Sequence, residues 1–268
     1  PEPRFAYSYW LDDSKYGNGD GLLQPNERSE FKVFITNRGE GNAEDAMATI
    51  KNITGSALYL ELGRQQLGTL PKGASKFATM QLTMKSPIEK PKVRLSIWDT
   101  TLGSAVTQEI VLPTGTAANA RKIQQKIRIE GSADAPLFSA ASGTSSIVGY
   151  APAKTILQAQ LLLSQEDTQW YRVQLPSRIA FIASNLVKTV KDTVSTSDKV
   201  RIEALQESPQ LVVNLQQLTT EKATYPLKIT VKDKSALLDA FIFVNDKKVL
   251  YRSLASVKRK VDVSASED

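Results

Sequence analysis

Alternation with a period of two constrains this chain more than any other feature. Phe31, Val33 and Ile35 line one side of a run that ends at the turn signal Asn37-Arg38-Gly39. Ala78, Met80, Leu82 and Met84 do the same in a later run, and Val93, Leu95 and Ile97 in the one after it. Successive side chains of an extended strand point to opposite faces, so such runs bury one face in a sheet rather than presenting a helical stripe. Runs at 4–10, 29–36, 45–51, 57–61, 76–84, 92–98 and 105–112, punctuated by Gly and Pro, place about seven strands in the first 115 residues. That density predicts an Ig-like β-sandwich over 1–115, without the Cys-Trp-Cys hallmarks of antibody domains.

The small, polar stretch Pro113-Thr-Gly-Thr-Ala-Ala-Asn119 reads as a linker. Shorter runs at 123–129, 136–138, 147–150, 155–163, 170–175 and 179–183 then predict a small barrel over 119–190. A polar connector at 188–208, expected to be partly helical around 199–206, leads to a third β-domain over 205–268. There Ala240–Val244 and Lys248–Tyr251 flank Asn245-Asp246 as a hairpin, and Tyr225, Phe241, Phe243 and Tyr251 are expected as core and cross-strand contacts. The fold class is therefore all-β. About four strands in some 60 residues are too few to close a sandwich, so this last domain is expected to be incomplete and the natural chain to continue beyond Asp268. Pro1 reads as a cut edge, since PEPRFAYSYW carries neither an initiator Met nor a leader.

Composition removes whole classes of chemistry. With no Cys and no His in 268 residues, disulfide frameworks, thiolate or imidazole zinc sites, Cys nucleophiles and Ser-His-Asp triads are excluded from this stretch. No run approaches the roughly 20 apolar residues of a membrane-spanning helix. The net charge of +6 would suit nucleic acid if it were concentrated, but up to residue 118 the chain carries 13 Lys and Arg against 13 Asp and Glu. The one dense run, Lys258-Arg259-Lys260, alternates with Val257, Val261 and Val263 and reads as the solvated face of a strand, so no nucleic-acid partner is expected.

The most unusual segment is Asp12-Asp13-Ser-Lys-Tyr-Gly-Asn18-Gly-Asp20-Gly21-Leu-Leu-Gln-Pro-Asn-Glu27. Carboxylates alternating with glycines resemble oxygen-rich Ca²⁺ loops, and Asn18, Asp20 and Glu27 fall at the third, fifth and twelfth positions of the EF-hand spacing. Tyr16 stands at the first position, where a carboxylate belongs, so Asp12 or Asp13 must fill the gap through a bulge. The competing reading is a tight loop between strands in which Asp20 accepts from backbone amides and Glu27 pairs with a cation. Trp170 and Tyr171 open a strand after the polar loop at 165–168 and are candidates for stacking on a peptide or glycan, against a competing role in core packing. No catalytic residue is assigned: the carboxylates of the Asp/Gly loop lie on one loop rather than across a cleft, and no Ser-Lys pair is locally isolated from solvent.

Taken in order, DDSKYGNGDGLLQPNE, FKVFITNRGEGNAEDAMATIKN, WYRVQLPSRIAFIASNLV and DAFIFVNDKKVLYRS resemble the region C-terminal to the protease core in large bacterial PDZ-containing C-terminal-processing (tail-specific) serine peptidases. The resemblance covers nearly the whole chain and implies an SH3-like module between Ig-like domains. It implies a periplasmic or cell-envelope protease with the Ser-Lys dyad and the PDZ domain upstream of Pro1, and the chemistry absent from this stretch implies a non-catalytic accessory role, positioning protein or peptide substrate, docking the enzyme or holding its oligomer together. The alternative is an SH3-like module that binds peptidoglycan or a peptide, with the sandwiches as spacers. The chain departs from the family pattern at Asn26, where Gly is usual before the Glu, and at Ala180-Phe181, where Gly-Trp is common.

Overall fold

A computed structural model describes residues 2–101, 105–165, 168–191, 194–203, 205–207, 210–214, 227–232, 239–244, 247–253 and 260–265. It divides into two units, residues 1–206 and 207–268. Within the first unit, β1 (Phe5–Asp12), β2 (Arg28–Asn37), β3 (Ala43–Asn52), β4 (Leu58–Leu62), β5 (Arg64–Leu70), β6 (Ser75–Met84), β7 (Lys92–Asp99) and β8 (Ala105–Val111) form a sandwich. One sheet runs β1-β2-β6-β4, with a two-residue strand that begins at Gln206 beside β1, and the other runs β5-β3-β7-β8; the pairs among β1 to β8 are all antiparallel. The alternating residues fill the space between them: Phe31, Val33 and Ile35 meet Met80, Leu82, Leu95 and Ile97 in one buried cluster. Strand β5 escapes the sequence pattern because RQQLGTL offers only Leu67 and Leu70 to that core.

Strands β9 (Asn119–Ile129), β10 (Ala135–Phe138), β11 (Ile147–Ala151), β12 (Ile156–Gln165), β13 (Thr168–Gln174), β14 (Ile179–Ala183), β15 (Val187–Val190) and β16 (Arg201–Ile202) make one eight-stranded antiparallel sheet in the order β15-β9-β12-β13-β14-β10-β11-β16. The sheet is not a closed barrel, since its end strands are not paired with one another. It nevertheless curls around a single core, to which Ile127, Leu137, Val148, Leu157, Val173 and Ile182 contribute and against which Val187 and Ile202 of the end strands pack. Among its described residues, the connector expected to be partly helical holds one short 3-10 turn, Ser197–Lys199, before β16.

The middle of this sheet is buried on both faces. On β13 and β14, Val173, Ala180 and Ile182 point into the sheet's own core, while Trp170, Ile179 and Phe181 point the other way into a cluster with Trp10 of β1. Strand β12 joins both clusters through a bulge. Leu157 and Ala159 face the inner core; the register then slips between Ala159 and Leu161, and Leu161 and Leu163 face Trp10's cluster. A one-residue insertion reverses the alternation, so residues of one parity serve two faces. Strand β1 is the counterpart: Phe5, Tyr7 and Leu11 enter the sandwich core and Trp10 leaves by the opposite face.

The stretch expected as a linker is tied down rather than slack. Leu23 donates its N–H to the Pro113 carbonyl at 2.9 Å, Leu23 bridges Thr114, and Ala118 is buried in the Trp10 cluster. In the second unit, Gln210–Asn214, Leu227–Lys232 and Lys260–Ala265 form a three-stranded sheet, and Asp239–Val244 pairs with Lys247–Ser253 as a hairpin. Phe241 and Tyr251 stand opposite one another there, with ring centroids 5.2 Å apart, on an exposed face. Tyr225, Asn245, Asp246 and Lys258-Arg259 lie outside the described residues. Among the described residues, no helix is long and apolar enough to cross a membrane.

Candidate functional site

The loop that follows β1 lies where the sandwich meets the second sheet. Asp13 is fully buried, and its two carboxylate oxygens accept the N–H groups of Gly19 at 2.6 Å and Gly21 at 2.9 Å. Both glycines have left-handed backbones, φ +81° and +74°, which suits a turn that brings successive amides round to one carboxylate. Asp20, also fully buried, accepts from Leu22 N–H at 2.8 Å on Oδ1 and from Ala118 N–H at 3.0 Å and Asn18 Nδ2 at 2.9 Å on Oδ2. Gln24 Nε2 donates to both of its oxygens, at 3.3 and 3.1 Å.

These bonds reach across the joint. Asn18 Nδ2 also donates to the Ala118 carbonyl at 2.8 Å, and the Asp20 carbonyl accepts Ala141 N–H at 2.9 Å, so the loop holds the second sheet at two separated points. The contact leaves no room for a side chain: a Cβ on Gly21 would stand 2.9 Å from the Phe181 ring and 3.1 Å from the Ser139 carbonyl. One residue before the loop, Asp12 makes a buried ion pair with Arg172 of β13, Oδ1 to Nη2 at 3.1 Å. It also accepts from Ser14 Oγ at 2.6 Å and Lys32 Nζ at 3.0 Å. Burial works to raise the Asp12 carboxyl, and Arg172, Ser14 and Lys32 more than reverse this, holding it below the usual carboxylate value.

Asp13 and Glu27 are shifted the other way. Burial, and next the neighbouring Asp20, raise Asp13. Burial, then Asp13 and Asp20, push Glu27 up to about 7. Glu27 accepts from the backbone N–H groups of Gln24, at a long 3.4 Å on Oε2, and of Asn18, and among the described residues it pairs with no cation.

The structure thus brings Asp13, Asn18, Asp20 and Glu27 together, while the oxygens of Asp12 are taken by Arg172, Ser14 and Lys32. Calcium wants six to eight oxygens at about 2.3–2.6 Å. Here the carboxylates of Asp13 and Asp20 face N–H donors, and among the described residues no group of three or more carboxylates is disposed to hold a metal ion.

Trp170 and Tyr171 lie on opposite faces of β13. Trp170 is 5% exposed and meets Phe138 edge-on at 5.4 Å inside the joint; Tyr171 is half-buried against the inner core. They present no common stacking surface. Sequence reasoning passed over Arg172 and Arg178, although the alternation of WYRV places Arg172 on the same side of its strand as Trp170. No protein-family model matches the chain, and no curated protein matches it.

Proposed function

We propose that residues 1–206 act as a rigid, non-catalytic β-platform, the accessory region of a cell-envelope C-terminal-processing serine endopeptidase, which positions substrate or docks the enzyme. The link to a peptidase rests on the ordered resemblance of four segments. The observation that supports the platform is the joint itself, where Asp20, Ala118 and Ala141 share hydrogen bonds and Asp12 and Arg172 share a buried charge pair. Two β-structures tethered by a slack linker move independently, whereas one sharing a buried apolar cluster and a satisfied polar loop transmits position.

The test is affinity purification of the tagged full chain from envelope extracts. Retention of a Ser-Lys endopeptidase supports the reading, and sedimentation with purified peptidoglycan in its absence turns it to the wall-binding alternative. The loop is read as part of the joint, with Ca²⁺ on Asp12, Asp13, Asn18, Asp20 and Glu27 as its competitor. Thermal unfolding in excess Ca²⁺ and in EDTA separates them: coincident transitions favour the joint, and a calcium-dependent rise assigns the loop an ion.

A further inference from the structure

A second feature of the joint is independent of any peptidase. A cavity of about 430 Å³ opens beside it, lined among others by Tyr9, Trp10, Phe31, Leu112, Ser139 and Arg178. That is about the size of a small-molecule site and far more than the roughly 30 Å³ a single water occupies. Arg178 is 1% exposed. Its Nε donates to the Ile179 carbonyl at 3.1 Å, while its Nη2 is buried with no hydrogen-bond partner. Among the described residues it makes no ion pair. Trp10, another residue that lines the cavity, also carries a buried donor without an acceptor, its Nε1.

A guanidinium keeps its charge at neutral pH and is costly to bury without a counter-charge. Burial brings Arg178 down only to about 10, so it remains a cation. Tyr9 and Phe31, stacked at 5.7 Å, and Leu112 supply an apolar wall. Among the described lining residues the only carboxylate, Glu203, is exposed and pairs with Arg201 at 3.3 Å, which leaves the buried cation unanswered by them. What completes such a site is a planar oxyanion carried on an apolar body. We propose that this cavity binds a small organic carboxylate bearing an aromatic or branched apolar group, with the carboxylate on Arg178 and the apolar body against Tyr9, Phe31 and Leu112.

The test uses the full chain with 3-phenylpropionate, its primary amide and inorganic phosphate, followed by calorimetry and by the indole N–H resonance of Trp10. The acid is expected to bind and to move that resonance, and the amide and phosphate to do neither. Arg178→Met is expected to weaken the acid by about 10- to 100-fold, the loss of one charge-assisted contact. Should that variant fail to fold, the acid-against-amide comparison on the unaltered protein decides alone. Equal response to acid and amide, a response to phosphate only, or none to the acid overturns the proposal.

Discussion

Arg172 and Arg178 are six residues apart in sequence, both buried, and differently served. Arg172 meets Asp12 across the joint at 3.1 Å, and the partner carboxylate is itself held by Ser14 and Lys32. Arg178 has one backbone carbonyl and a cavity. Both guanidinium groups lose their hydration, but only in the first is the loss offset by an opposite charge. The difference teaches that burial alone does not make an arginine structural. Arg172 fixes where the second sheet sits on β1, so its removal should unsettle the joint; Arg178 contributes little that an apolar chain of equal length would not.

The largest expected effect is therefore Asp12→Ala, which strands Arg172 in the joint and should lower stability by about 3–5 kcal/mol in urea unfolding. A loss under about 1 kcal/mol would mean the pair does not hold the two sheets. Next comes Gly21→Ala. Its φ of +74° alone makes a side chain cost about 1–2 kcal/mol. The Phe181 ring and the Ser139 carbonyl, 2.9 and 3.1 Å from the new Cβ, should take the loss beyond that. Gly131→Ala is the control: its φ of +81° is similar but nothing lies within 4 Å, so it should show the backbone cost only. Equal losses at the two glycines would indicate that the loop yields easily. Smaller again is Arg178→Met, expected within about 1 kcal/mol of the parent or somewhat more stable, as when a buried charge gives way to an apolar side chain. A loss as large as that of Asp12→Ala would erase the contrast between the two arginines.

Sandwich strands such as β2, β6 and β7 were legible because their alternating apolar residues fill one core, and period two registers that directly. Strand β5 was not, having only Leu67 and Leu70 to show, and neither were the four-residue β15 and the two-residue β16. The joint was hidden for a different reason. A strand buried on both faces, such as β1 with FAYSYWLD, mixes Trp10 and Asp12 on its second face, and polar residues that find partners in another part of the chain look like solvent-facing ones. The linker stretch misled similarly: small residues at 113–119 signal flexibility by composition, yet smallness is also what lets Ala118 seat under Asp20 and Asn18. Asn26, just before Glu27, has a φ of +62°, the left-handed turn that Asn tolerates in place of Gly.

The smallest effect concerns pH, and it tests how the loop's charges are balanced against the Asp12–Arg172 pair. Glu27 titrates at about 7 when folded against an ordinary 4.5, so the folded chain holds this proton more tightly than the unfolded chain. Stability should consequently rise as pH falls from about 7 to 4.5 and gain nothing further from this group below that window. Asp13 acts in the same direction. Asp12 acts in the opposite one: its contribution is present above the unfolded value of 3.8 and is lost as pH falls through its lower folded value. Denaturation across this range should thus show greatest stability in mild acid, by a modest margin because Glu27 is only half-buried and solvent screens it. Glu27→Gln should flatten most of the rise between 7 and 4.5 and leave the acid limb in place. Bound calcium would hold Glu27 ionised and remove the same rise in the unaltered protein, whereas a stability that falls steadily from 7 downward would mean that Glu27 is hydrated and the carboxylates do not crowd one another.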